Sequence, residues 1–395
     1  MYEGAPVEAI RGATRRTFET IVQLALSEHV DFMLIAGDLY DGELQDYRTA
    51  LFLTQQMAIL HQASIPVFIV LGNHDAETRV TKRLSLPPNV HVFPSSKSNT
   101  NELRELGVAI HGQSFARAAV TDDLAAEYPP RREGLFNIGL LHTCLSSTKG
   151  HANYAPTSAD ILRTRGYDYW ALGHVHERMV ISESPWIVYP GNPQGRHVRE
   201  TGDKGCELVR VDGGQVQIEQ FRFAHVLWEV LKVDATGAQT ADDVYERLAT
   251  QLQTIVARES RLVCIRVEIS GSTPAHLALA SEPNLKVKIQ NVLLQVGGEL
   301  WLERVVLRTS DQATASAAQG IESLAEMQAT IDGIVASDAE RDSLIEIFAD
   351  LDSRVPAELR GEDGINLGDP AYIAEFLVDA AEELSLRVIK AGAQQ

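Results

Sequence analysis

The run YDYWALGHVHER, residues 167–178, passes from an apolar stretch into two histidines, His174 and His176, separated by one residue. Alternate side chains of an extended segment point the same way, so both imidazoles would aim at one spot. Neutral imidazole is the commonest metal-binding side chain. The same pattern also occurs as two surface histidines where a strand ends. The rest of the chain decides between these readings, because a metal site needs further ligands.

Three other apolar runs end in polar clusters of the same kind. DFMLIAGDLYD (31–41) leads through MLIA into Asp38 and Asp41, and IPVFIVLGNHD (65–75) leads through FIVL into Asn73, His74 and Asp75. FNIGLLHTC (136–144) delivers His142. Helical periodicity in VEAIRGATRRTFETIVQLALSEH (7–29) and around 47–62 separates the first of these runs, and strands alternating with helices indicate an α/β layered domain. Ligands of open α/β sheets bind outside the carboxyl ends of the strands. Four parallel strand ends would bring Asp38, Asn73, His142, His174 and His176 into one crevice. Glycines before three of the clusters permit tight turns and close backbone approach. Alone, GDxxD could be a helix cap and GNHD a turn. Together, and all following strands, they favour a metal centre.

GDLYD, GNHD, His142 and GHVH resemble the motifs of the calcineurin-like metallophosphoesterase superfamily. Within it, HANYAPTSADILRTRGYDYWALGHVHER (151–178) and PGNPQGRHVRETGDKGC (190–206) are similar to the SbcD-type nuclease branch, and to bacterial DNA repair exonucleases of the YhaO type. The resemblance implies a layered α/β sandwich followed by a small α/β cap and a helical tail. It implies two divalent ions, typically Mn²⁺, which suits a mixed oxygen and nitrogen donor set. Asp38 would bridge the ions, Asn73, His142 and His174 would complete one, and His176 would serve the other. Two such ions activate water and clamp a phosphodiester for in-line attack. His74 would be the catalytic histidine, with Asp75 orienting its ring, and Asp41 would orient a ligand from outside the coordination sphere. The implied activity is a phosphodiesterase acting on DNA, an exonuclease or endonuclease subunit working with an SMC-like ABC ATPase, and homodimers are common in the family.

The resemblance fails at one point. The family's first motif, D-x-H, closes a strand before the opening helix, and no D-x-H occurs in the first sixty residues. A second ion would then have only Asp38 and His176. The expectation is one full metal site and little nuclease activity. The favoured explanation is a true start upstream, and the alternatives are truncation or a lineage that kept only binding. A small-molecule phosphoesterase and a non-catalytic scaffold for the ATPase stay open as competing functions.

Composition sets outer limits. The 395 residues are 45% hydrophobic and 23% charged, the balance of an ordinary globular protein. No apolar run reaches membrane-spanning length, and no secretory signal pattern opens the chain. Cys144, Cys206 and Cys264 are too few and too scattered for a disulfide frame, and they indicate reduced thiols in a cytoplasmic protein. There is no GxSxG for serine hydrolysis and no GxxxxGK[ST] loop for ATP. The net charge of −19 is unevenly spread: residues 311–395 hold 18 acidic and 5 basic side chains, a net of −13, leaving −6 for the rest. An acidic tail is a poor phosphate binder, so DNA affinity would be borrowed from a partner.

The expected organisation is a metallophosphoesterase domain over 1–224, an α/β capping domain over 225–309 and an acidic helical region over 310–395. CELVRVDGGQVQIEQFRF (206–223) is expected to be a hairpin turning at Asp212-Gly213-Gly214. Arg196 and His197, after PGNPQG, are candidate phosphate contacts, with local loop contacts an equal alternative for Arg196 and the preferred reading for His197 and Arg199. His111, Trp170 and Trp186 are expected in the core, and His151 and Tyr154 in a loop or along the cleft.

Overall fold

The computed structural model describes residues 6–39, 47–76, 86–117, 119–145, 155–310, 322–354 and 367–381, except 371, 375 and 379 within the last segment. The chain divides into two units, Pro6–Trp228 and the part from Glu229 onward.

The first unit is a two-sheet sandwich. Helix α1 (Val7–Ser27) is followed by β1 (Met33–Ile35), α2 (Tyr47–Gln62), β2 (Val67–Ile69), the single turn α3 (Asn73–Ala76) and β3 (Val90–Val92). The three strands form a parallel sheet in the order β1-β2-β3. Val22 and Ala25 of α1 join Leu53, Met57 and Leu60 of α2 over Val67 and Ile69, so both helices cover one face.

The second sheet contains β4 (Asn99–Leu103), β5 (Val108–Gly112), β6 (Phe136–His142), β7 (Tyr169–Gly173), β8 (Met179–Glu183) and β9 (Trp186–Tyr189). Its order is β4-β5-β6-β7-β9-β8, with β4 and β8 antiparallel at the edges. Strands β5, β6, β7 and β9 run parallel. Phe68 and Val70 from the β2 run pack with Phe93, Ile110 and Leu140, forming the core between the sheets. On the other face Leu141, Tyr167, Trp170 and Leu172 pack with Leu162 of α4 (Ala159–Thr164). Parallel strands covered on both faces read as continuous apolar runs, which is why IGLL and YWAL lack polar alternation. Hairpin β10 (Gly205–Asp212) and β11 (Gln215–Arg222) turns through Gly213-Gly214, both at positive φ, as a two-residue hairpin of primed type requires.

The four motif-bearing strands therefore belong to two facing sheets, β1 and β2 in one and β6 and β7 in the other, the sandwich that the family resemblance implied, where the pattern of apolar runs by itself suggested one open sheet. Each is apolar on both faces, and a sandwich buries both faces as well as helices on a single sheet do.

Strand β12 (Val226–Asp234) leads into the second unit. Helix α5 (Ala241–Arg258), β13 (Leu262–Ser272), α6 (His276–Ala280), α7 (Leu285–Val296) and β14 (Leu300–Ser310) follow, with strand order β12-β13-β14 and β13 parallel to β14. Helix α5 begins with a capping box between Thr240 and Asp243 and buries Val244, Leu248, Leu252 and Ile255 along one face. Helices α8 (Glu322–Ala336) and α9 (Asp338–Arg354) lie in the acidic region. No described helix is long and apolar enough to cross a membrane.

Candidate metal centre

The ends of β1, β2, β6 and β7 meet. Asp38, His142 and His174 each present a ligand atom within 4.8 Å of the others. Asn73 joins them, with Oδ1 2.9 Å from His142 Nε2. Asp38 Oδ2 lies 3.3 Å from the same nitrogen. Close backbone approach makes this possible: Gly37 sits at φ +99°, and a Cβ on Gly173 would collide with the Ala36 carbonyl. Sequence reasoning assigned these glycines that role.

His142 is fully buried, and its ring is held edge-on by Phe115 at a centroid distance of 5.3 Å. Its Nδ1 lies 2.9 Å from the Ala36 carbonyl oxygen, which can only accept, so Nδ1 carries the proton. In a neutral ring Nε2 then offers a lone pair, and it faces two oxygen acceptors on Asn73 and Asp38. Carboxylate, amide oxygen and imidazole lone pairs pointed at one another form a donor set that a cation satisfies. These residues fit a divalent ion of the middle transition series.

The Asp38 carboxylate is shared. Its Oδ1 accepts the His74 N–H at 3.2 Å while Oδ2 turns to His142. Burial alone would raise the carboxyl's pKa. When His142 and His74 are protonated, their hydrogen bonds and charge, His142 first, outweigh it and hold Asp38 below its ordinary value. His74 is the second residue of the single turn α3, directly after Asn73 and beside the ligand cluster. Asp75 is buried, and its Oδ2 accepts the Gly72 N–H at 3.0 Å, closing the turn that presents Asn73 and His74.

His176 stands apart from the three-residue cluster, and its Nδ1 is 2.6 Å from Glu200 Oε1. Arg196 also turns to Glu200, through its N–H at 2.8 Å and its guanidinium at 3.2 Å. His197 Nδ1 accepts the Arg199 N–H at 3.2 Å, and its Nε2 lies 3.5 Å from Glu200. Arg196 and His197 therefore have local partners within their loop. Sequence reasoning missed Glu200, whose signal was a lone acid among the cations of QGRHVRE. Asp41, His151 and Tyr154 lie outside the described residues. His111 is a satisfied core residue, bonded to Thr100 Oγ1 at 2.8 Å and Asn137 Oδ1 at 3.0 Å. All three cysteines are free thiols.

A two-sheet sandwich with an acid, an amide and two histidines gathered at its strand ends is the architecture of a calcineurin-like phosphoesterase, and the profile of that family matches residues 11–178. The profile described as "Metallophosphoesterase YhaO, middle domain" matches residues 228–310. The chain is 36% identical over 312 residues to "Uncharacterized metallophosphoesterase YhaO" of Bacillus subtilis, covering 77% of this chain and 76% of that one. The chain belongs to the calcineurin-like metallophosphoesterases, in the group that carries the YhaO middle domain. Other relatives are named "DNA double-strand break repair protein Mre11". That of Methanopyrus kandleri is 25% identical over 285 residues, 63% of this chain and 60% of the relative. That of Archaeoglobus fulgidus is 36% identical over 295 residues, 68% and 65% respectively.

Proposed function

We propose that this chain is a divalent-metal-dependent phosphodiesterase acting on DNA, with Mn²⁺ as the ion and Asp38, Asn73, His142 and His174 as its ligands. The observation that carries this is the meeting of lone-pair donors around His142 Nε2 at the strand ends. The names of the Mre11 relatives support DNA as substrate. A bound divalent ion supplies Lewis acidity toward a phosphoryl oxygen. His74 has its N–H fixed on Asp38 and stands next to the ligand Asn73, where its ring can give a proton to a leaving alkoxide. The acidic helical region past 310 is the docking element for an SMC-like ATPase, which would supply DNA affinity. A homodimer and a cytoplasmic location belong to the same proposal.

The alternatives are a non-catalytic scaffold that binds metal and a phosphoesterase for small substrates. Calorimetry with Mn²⁺ and cleavage of linear duplex DNA test both. The expected outcome is one tight ion per chain, lost in His142→Ala, and slow Mn²⁺-dependent cleavage that disappears in His74→Ala. Metal binding without any cleavage would leave the scaffold, and hydrolysis of a chromogenic diester but not DNA would point to small substrates. A wild-type chain that binds no Mn²⁺ would end the proposal.

A further inference from the structure

Glu200 is a buried carboxylate with an unusual number of donors. Its side chain is 5% exposed. It receives Arg196 N–H and guanidinium, the Asn192 side-chain amide at 2.8 Å, and His176 Nδ1 at 2.6 Å, with His197 Nε2 at 3.5 Å. A carboxylate taken this far from water is costly unless its lone pairs are satisfied. Arg196, His197 and Asn192 lie within eight residues of it and could satisfy it locally. His176 comes from the loop after β7, 24 residues earlier, so its engagement calls for a separate reason.

The same segment also holds the backbone of His176. The His176 carbonyl accepts the Asn192 N–H at 3.1 Å and the Lys204 Nζ at 2.9 Å. Ring and peptide are thus gripped by three residues of 192–204. A carboxylate can hold only a protonated nitrogen, so His176 Nδ1 carries hydrogen, and in the neutral ring Nε2 keeps the lone pair. A carboxylate that fixes the tautomer of a histidine is the usual outer support of an imidazole that binds metal. The His176 side chain is 29% exposed and so is not sealed in the core.

We propose that Glu200 is a positioning residue that locks His176 with Nε2 as the lone-pair nitrogen, preparing it to donate to the second divalent ion that Asp38 would share. This rests on the metal-centre reading above.

Two measurements test it. Long-range ¹H–¹⁵N correlation on the metal-free wild-type chain in alkaline buffer reads the tautomer of His176, and calorimetry reads Mn²⁺ affinity in the wild type, Glu200→Gln and His142→Ala. The expected result is a proton on Nδ1 of His176 in the wild type, a shift toward the Nε2–H form in Glu200→Gln, and binding of the second, weaker Mn²⁺ ion reduced about 10–100-fold in that variant. If Glu200→Gln lowers the melting temperature but leaves tautomer and affinity unchanged, Glu200 is only a loop staple and the proposal is overturned. Should that variant not fold, the wild-type spectrum decides, because a proton on Nε2 contradicts the proposal outright. Unchanged Mn²⁺ binding in His142→Ala would sink the metal-centre reading, and this inference with it. Loss there with no effect of Glu200→Gln would sink this inference alone.

Discussion

Asp38 and His174 are the residues where the fold gives way to the site. Their φ angles are +53° and +97°, outside the regions that residues with a Cβ adopt comfortably. Such conformations cost about 1–3 kcal/mol each and persist only where surrounding structure imposes them. Here they turn a carboxylate and an imidazole from two facing sheets toward one point. The strain at His174 can be separated from its chemistry. Ala and Gly both remove the ring, but only Gly relieves the backbone. His174→Gly should therefore be more stable than His174→Ala by about 1 kcal/mol in urea unfolding, while both lose Mn²⁺ affinity. Equal stability of the two variants would mean that the positive φ stores nothing. The sequence reading put Asp38 and His174 in one crevice but held no sign of their strain. A histidine after a glycine carries no mark of positive φ, whereas Gly37 and Gly173 announced close approach by lacking a Cβ.

At the level of elements, His111 joins three strands of the second sheet. It sits on β5, its Nδ1 facing Thr100 of β4 and its Nε2 donating to Asn137 Oδ1 of β6, with Tyr167 stacked on the ring at 4.3 Å. Asn137 Oδ1 also accepts the Arg132 N–H at 2.6 Å, so it is the acceptor and His111 Nε2 is the donor. Burial disfavours the imidazolium and pushes the ring's pKa below its ordinary 6.5, despite the opposing hydrogen bond to Asn137. The unfolded chain then binds the extra proton first as pH falls. Stability contributed by the neutral ring is complete above about 6.5 and drains away below it until the lowered folded value is passed. The urea midpoint of the wild type should fall between pH 7 and pH 5 more steeply than that of His111→Gln, and parallel curves would remove the ring from the explanation. The same sheet shows where pattern reading stops. Strands with buried apolar faces, such as 136–142 and 169–173, and the hairpin at Gly213-Gly214 were legible in the sequence. The edge β4 (NTNEL) was not, because an edge strand is held by backbone pairing to one neighbour and needs few apolar side chains. Assignment of the four site strands to two sheets was equally hidden, since doubly buried strands look alike in either arrangement.

Charge belongs to the whole molecule. Of the net −19, the residues past Ser310 hold −13. Binding of a duplex depends on Lys and Arg contacts that release counterions from phosphate, and a large like charge on the same chain opposes every encounter. Strand β14 closes at Ser310, whose carbonyl accepts the Thr273 N–H at 2.7 Å, so a chain ending there keeps every described strand. That shorter chain should bind labelled duplex DNA more tightly than the full one in fluorescence anisotropy. Repulsion between exposed charges fades as the screening length shrinks from about 10 Å at 0.1 M salt to about 3 Å at 1 M. The advantage of the shorter chain should therefore be largest in dilute salt and vanish in concentrated salt. An advantage that persisted unchanged across the salt series would identify the tail as a steric obstacle on the DNA path. No advantage at any salt would mean that its acid is too remote to matter, leaving docking of a partner as its use.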